Sequence, residues 1–242
     1  LECSAMSQKY LGETFDIHGG GQDLIFPHHE NEIAQSVCGH GGKSFVKYWM
    51  HNGYLQVEGE KMSKSLGNFY TVRDLTSEFP GEANRFALLS THYRAPMDFT
   101  KEGIQNAKET LDRFYGALRN SKSDSKADIP KKIMDALCDD LNTPLAISHL
   151  HELVGNLNKA SDRAEAKELH ASILAGAEVL GLLSADPEEW FKGVSAGSEG
   201  GLDASAIEKL IEERTSARAA KDFATSDRIR DELAEQGIVL ED

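Results

Sequence analysis

The chain has 242 residues, 40% of them hydrophobic and 27% charged, with a formal net charge of −14. That length buries a real core and allows more than one domain. No apolar run approaches the ~20 residues that a bilayer-spanning helix needs, and the acidic balance excludes a simple nucleic-acid binder with a broadly basic face.

In chain order, the first 75 residues read as α/β. "LECSAM" carries no signal-peptide character and resembles the interior of a domain. "TFDIHGGG" runs from a short apolar stretch into Gly19, Gly20 and Gly21, a strand-to-loop pattern. "FPHHENEIAQSVCG" predicts a helix with Pro27 at its first position, acids in its first turn and an end near Gly39. "KYWMHNGYLQV" has strand composition, with Asn52-Gly53 as its turn. Strand, glycine loop, helix and strand are the grammar of an open parallel sheet, where ligands bind beyond the carboxyl ends of the strands.

From Val72 the pattern is helical. "ANRFALLSTHYR" has apolar residues at helical spacing, and the segment after Lys101 repeats them at Ile104, Ala107, Leu111, Phe114 and Leu118. "SKSDSKADIP" is a polar linker. Helices are expected over about 131–156, 162–182 and 203–236, the last set off by the loop "FKGVSAGSEGG". The fold class is thus α/β plus all-α. Residues 1–75 make part of a Rossmann-type nucleotide-binding domain, 76–120 a connector, and 121–242 an antiparallel helical bundle.

Charge is uneven along this plan. Residues 1–120 hold 12 Lys+Arg against 15 Asp+Glu, and residues 121–242 hold 14 against 25. A polyanion would therefore meet local basic spots in the first half. Cys3, Cys38 and Cys138 lie far apart, with no CxxC, which points to a reducing, cytosolic setting.

Three patterns could carry chemistry. Lys61 and Lys64 in "KMSKS" place two mobile ammonium groups where they can follow charge developing in phosphoryl chemistry; a solvated turn would use the same residues. Gly19, Gly20 and Gly21 let a backbone approach a ligand closely, and Asp23 just beyond them can accept bonds from ribose hydroxyls; a plain loop is the other reading. His28 and Glu32 are four apart and share a helix face, whereas His29 points elsewhere. With a thiolate from Cys3, on a neighbouring strand end, the donors suit zinc. A His/Glu pair at a helix start also serves as cap and dipole partner.

Together "LECSAMSQKYLG", "FDIHGGGQDLIFPHHENEIAQS", "YWMHNGYLQVEGEKMSKSLGN" and "KDFATSDRIRDELAEQGIVLED" closely resemble the cysteinyl-tRNA synthetases, class I aminoacyl-tRNA synthetases. The likeness runs from Leu1 to Asp242. It implies ATP-dependent activation of cysteine to cysteinyl-adenylate and transfer to tRNA(Cys). Lys61, Ser63 and Lys64 would bind the ATP phosphates with Mg2+, the two lysines acting catalytically on the leaving pyrophosphate. Gly19, Gly20, Gly21 and Asp23 would lie against adenosine. The zinc ligands would be Cys3, His28 and Glu32, with a fourth, a cysteine, in the family's upstream half. A zinc with a free position takes cysteine's sulfur, which serine's oxygen replaces poorly. His18 and His51 would help line the pocket, and Arg85 and Arg94 would contact tRNA phosphates.

The family's upstream half also holds its His-Ile-Gly-His motif, which this chain lacks; "CGH" at Cys38–His40 falls on a helix end and does not replace it. The family's small anticodon-reading module is expected after Asp242. The chain is thus expected to be an internal part of a monomeric cytoplasmic enzyme, with no membrane partner and no adenylate chemistry on its own. Two other readings share some features: the ligase that joins cysteine to an amino sugar in mycothiol synthesis, which needs no tRNA, and a non-catalytic zinc- and RNA-binding remnant. "RIRDELAEQGIVLED" and "HHENE" favour the synthetase.

Overall fold

The structure is a computed structural model that describes residues 1–57, 59–62, 69–123, 125–192, 204–235 and 238. Its first element is a helix, α1 (Glu2–Leu11). Cys3 therefore sits on a helix, not on a strand end. Alanine, methionine, glutamine, lysine and leucine favour helix, no residue of α1 is β-branched, and Gly12 ends it at a φ of 95°.

Strand β1 (Phe15–Gly21) lies parallel to β2 (Val46–Asn52), with α2 (Glu30–Gly39) between them in sequence. The register runs from Phe15 opposite Val46 to Gly21 opposite Asn52. The three glycines thus belong to the strand itself, contrary to the expected strand-to-loop change. A Cβ on Gly20 would come within 2.9 Å of both the His29 ring and Leu24, so glycine lets the following turn fold back onto β1. That turn, Ile25–His29, is irregular, and the regular helix begins at Glu30 instead of Pro27. Phe26 stands at φ −134°, ψ 131°, because a residue before proline is driven out of the helical region. Phe15, Phe45 and Val46 form a small core here with Ile33, Val37 and Trp49.

A second sheet joins β3 (Leu55–Val57), antiparallel to β4 (Glu60–Lys61) and parallel to β5 (Met97–Asp98). Asn52-Gly53 therefore turns no hairpin. It carries the chain from one sheet to the other, and the Ala95 carbonyl occupies the space a side chain on Gly53 would need.

Helices then dominate. In α3 (Val72–Glu78) Thr71 and Asp74 form a reciprocal capping box, and α4 (Gly81–Leu89) follows. Helix α5 (Lys101–Arg119) buries Ile104, Ala107, Leu111, Phe114 and Leu118, as their spacing predicts. The helix expected over 131–156 is two: α6 (Lys131–Cys138) and α7 (Thr143–Leu157). Asp140 and Leu141 have positive φ, and the Asn142 side chain caps Leu145 N at 3.2 Å. Pro144 has no N–H for a continuous helix to use. Helix α8 (Arg163–Leu180) ends on left-handed Gly181, and α9 (Pro187–Phe191) is one short turn.

These helices share one apolar core reaching from Leu75 to Leu183. At its rim a single carboxylate joins three elements. Glu82 of α4 accepts from Leu183 N beyond α8 at 2.8 Å and from the Tyr115 hydroxyl of α5 at 2.8 Å. Nearby, Arg85 Nε donates to Leu180 O at 2.6 Å.

The chain divides into two units, Leu1–Val194 and Ser195–Asp242. In the second, the single helix expected over 203–236 is again a pair, α10 (Ala204–Ala219) and α11 (Phe223–Glu235). Lys221 at φ 61° breaks it, and Asp222 caps the new start through Thr225 N at 3.2 Å. Among the described residues no helix is long and apolar enough to cross a membrane.

Candidate metal centre

The side of the β1–β2 unit that carries α2 gathers donors from three elements. Cys3 comes from α1, which Ser4 ties to α2 by a 3.4 Å bond from its hydroxyl to Gln35. His28 comes from the irregular turn and Glu32 from the first turn of α2. One donor atom from each lies within 4.8 Å of the others, and His28 Nε2 is 3.7 Å from Glu32 Oε1. Two ligands on a tetrahedral ion at about 2.1 Å stand ~3.4 Å apart. The His28–Glu32 pair is close to that spacing, and the Cys3 sulfur lies within 4.8 Å of both.

Glu32 decides what this cluster can do. It is only 3% exposed. Its Oε2 is held by His18 Nε2 at 2.9 Å, whereas its Oε1 is buried without a hydrogen-bond partner. A buried, unsatisfied carboxylate oxygen is costly, and this one faces the exposed His28 and Cys3. The sulfur, imidazole and carboxylate set fits zinc, and His18 behind Glu32 is the kind of partner that orients a ligand from outside.

A second group lies behind the first. His29 is 3% exposed and not turned away as expected: its Nε2 is 4.0 Å from Glu32 Oε2, and its Nδ1 is 2.8 Å from His51 Nε2. Burial, with His18 adding repulsion, holds the His29 imidazole below the usual histidine range. The ring also packs on Trp49, 4.9 Å between centroids. Spacing within the helix does not reveal His29 and His51 as partners. The register does, because His51 faces Gly20 across the sheet.

The other expected residues lie apart from this cluster or outside the description. Asp23 is exposed and its carboxylate bends back beside Gly21. Lys61 enters β4 by its backbone, while Ser63 and Lys64 fall outside the described residues. Arg94 is paired with Asp140 at 2.6 Å and Arg85 holds the end of α8, so both expected phosphate contacts already have internal partners. The Cys38–His40 segment does sit at the end of α2.

Three family models match the chain. "tRNA synthetases class I (C) catalytic domain" covers residues 1–109, "DALR domain" 132–184, and "Cysteinyl-tRNA ligase anticodon binding domain" 201–242. The last corrects the expectation that the anticodon module follows Asp242, since its matched stretch lies within the chain. The chain is 58% identical to the cysteine–tRNA ligase of Rhodospirillum rubrum and 60% identical to that of Rhodospirillum centenum. In both cases all of this chain aligns with 53% of the relative. It thus spans about half the length of the curated relatives it matches. Its fold is shared with LeuRS of Agrobacterium radiobacter K84, solved as a ternary complex with tRNA and LeuAMS. There the identity is 21% and the TM-score 0.53, over 69% of this chain and 25% of that one. The chain belongs to the cysteine–tRNA ligase family of class I aminoacyl-tRNA synthetases.

Proposed function

We propose that this chain is the part of a cysteine–tRNA ligase that selects cysteine and carries the lysine segment for ATP. The complete enzyme would activate cysteine with ATP and Mg2+ to cysteinyl-adenylate, release pyrophosphate, and transfer the aminoacyl group to tRNA(Cys). The observation that carries this reading is the convergence of Cys3, His28 and a buried oxygen of Glu32 that has no hydrogen-bond partner. A bound zinc would supply a position for the substrate's sulfur that serine's oxygen fills poorly.

The remaining roles follow from this chain's own groups. Cys3, His28 and Glu32 would hold the ion, joined by a fourth ligand from outside the chain. His18 fixes Glu32, and His29 and His51 brace the wall behind it. Gly19, Gly20, Gly21 and Asp23 are assigned to adenosine, although the close approach of His29 to Gly20 gives that glycine an internal duty as well. Lys61, Ser63 and Lys64 are assigned to the phosphates and departing pyrophosphate. The parallel β1–α2–β2 unit supports a Rossmann-type sheet completed by the rest of the protein. Helices α5 to α8 are assigned to an antiparallel bundle bearing on tRNA, and residues 201–242 to the anticodon. A cytoplasmic, monomeric enzyme is the accompanying expectation.

Elemental analysis of the full-length protein tests this. The parent is expected to hold one zinc and to exchange pyrophosphate with cysteine far better than with serine. Glu32→Ala, His28→Ala and Cys3→Ala should each lower zinc affinity by about 10- to 100-fold or more, and the 242-residue chain alone should give no exchange. Full zinc retention in all three variants would remove the basis for cysteine selection.

A further inference from the structure

The loop His92–Ala95 ties three parts of the molecule together. Its backbone meets the carboxyl ends of both parallel strands. Gln22, next after β1, donates from Nε2 to Arg94 O at 2.9 Å. Gly53, next after β2, donates from its N–H to Tyr93 O at 2.7 Å. Gly53 also lies so close to Ala95 that no side chain fits between them. The loop is closed on itself by Ala95 N to His92 O at 2.8 Å.

Its side chains point the other way, to one residue in the bend between α6 and α7. Asp140 Oδ1 accepts from the Tyr93 hydroxyl at 2.7 Å and from an Arg94 terminal nitrogen at 3.0 Å, and its Oδ2 accepts from Arg94 Nε at 2.6 Å. His92 Nε2 is 4.0 Å away. The Arg94 and Tyr93 donors hold the Asp140 carboxyl well down, at about 2. Asp140 stands at φ 54°, a conformation that aspartate and asparagine tolerate better than most residues.

From this we infer that Asp140 is a positioning residue. Through Tyr93 and Arg94 it sets how α6–α8 stand against the carboxyl ends of β1 and β2, and so how a tRNA seated on the helices presents its end to the sheet. The inference rests on the proposed function and deepens it. A ligase of this kind must hold one polynucleotide at two distant places, and a small misplacement at either is costly in rate. The groups assigned to cysteine and ATP, from Cys3 to Lys64, all precede α3, and none comes from α6–α8. The clasp should therefore matter for tRNA and not for adenylate formation.

The test uses the full-length enzyme and two substitutions. Asp140→Gly removes the clasp while accepting the positive φ. Asp140→Asn keeps that backbone tolerance and one acceptor. Asp140→Gly is expected to raise the KM for tRNA about tenfold with cysteine-dependent pyrophosphate exchange within about twofold of the parent. Asp140→Asn should lie between them, and the Gly53 amide should exchange hydrogen faster in Asp140→Gly. A tRNA KM within twofold of the parent, equal loss of both activities, or an unchanged Gly53 amide would each overturn the inference. A parent with no cysteine-dependent exchange would instead refute the proposed function, and the Gly53 amide would then decide the clasp alone.

Discussion

A methyl group on Gly53 would run into the backbone carbonyl of Ala95, and a backbone carbonyl held in a closed loop cannot turn aside. A methyl on Gly20 would meet the ends of His29 and Leu24, which can shift. Gly53→Ala is therefore expected to cost about 3 kcal/mol and Gly20→Ala about 1 kcal/mol, read from chemical denaturation of the two variants beside the parent. Gly20→Ala would in addition displace the His29 ring from His51. The same contrast shows what was legible at this scale. His28 and Glu32 announce themselves by a spacing of four. That Gly20 backs onto His29, or that Glu32 Oε1 lacks a hydrogen-bond partner, depends on a strand register and a folded-back turn that local spacing does not encode.

The elements divide in the same way. The apolar spacing of α5 is explicit in the chain, and all five residues read from it are buried. The breaks at 139–142 and 220–222 are hidden from apolar spacing, although Pro144, Asn142 and Asp222 mark them. In both places helical periodicity resumes after the break, and a count of apolar residues passes over it. Helix α7 shows the consequence. Leu150 is fully buried, and with Ile133 of α6 it packs into the space beside Gly176 of α8, 3.3 Å from where a Cβ would stand. Leu150→Ala should cost about 2–5 kcal/mol in urea unfolding, the higher value applying if α8 does not settle into the gap.

Over the whole molecule, burial holds the imidazoles of His151 and His170 below the usual histidine range. The unfolded chain takes up a proton near pH 6.5, where the folded one does not. Their contribution is therefore intact above about pH 6.5 and is lost as the pH falls from there toward the lower folded values. Melting temperature should drop between pH 7.5 and 5.5, and His170→Asn should flatten that slope. The acidic second half and the α/β-to-helical change at Val72 were visible in composition and pattern. The sharing of one core across the connector and the helices was not, because contacts between residues far apart in sequence leave no local trace.

The carboxylate of Glu82 lies inside the stretch matched by the catalytic model, and the Leu183 amide it receives lies inside the stretch matched by the DALR model. What heredity separates into modules is here mechanically one block. Because Leu183 offers its main-chain N–H, a recombinant that exchanged residues 132–184 with those of a distant relative would still bring a donor, but only a backbone of the same course past α8 would set it on the Glu82 carboxylate.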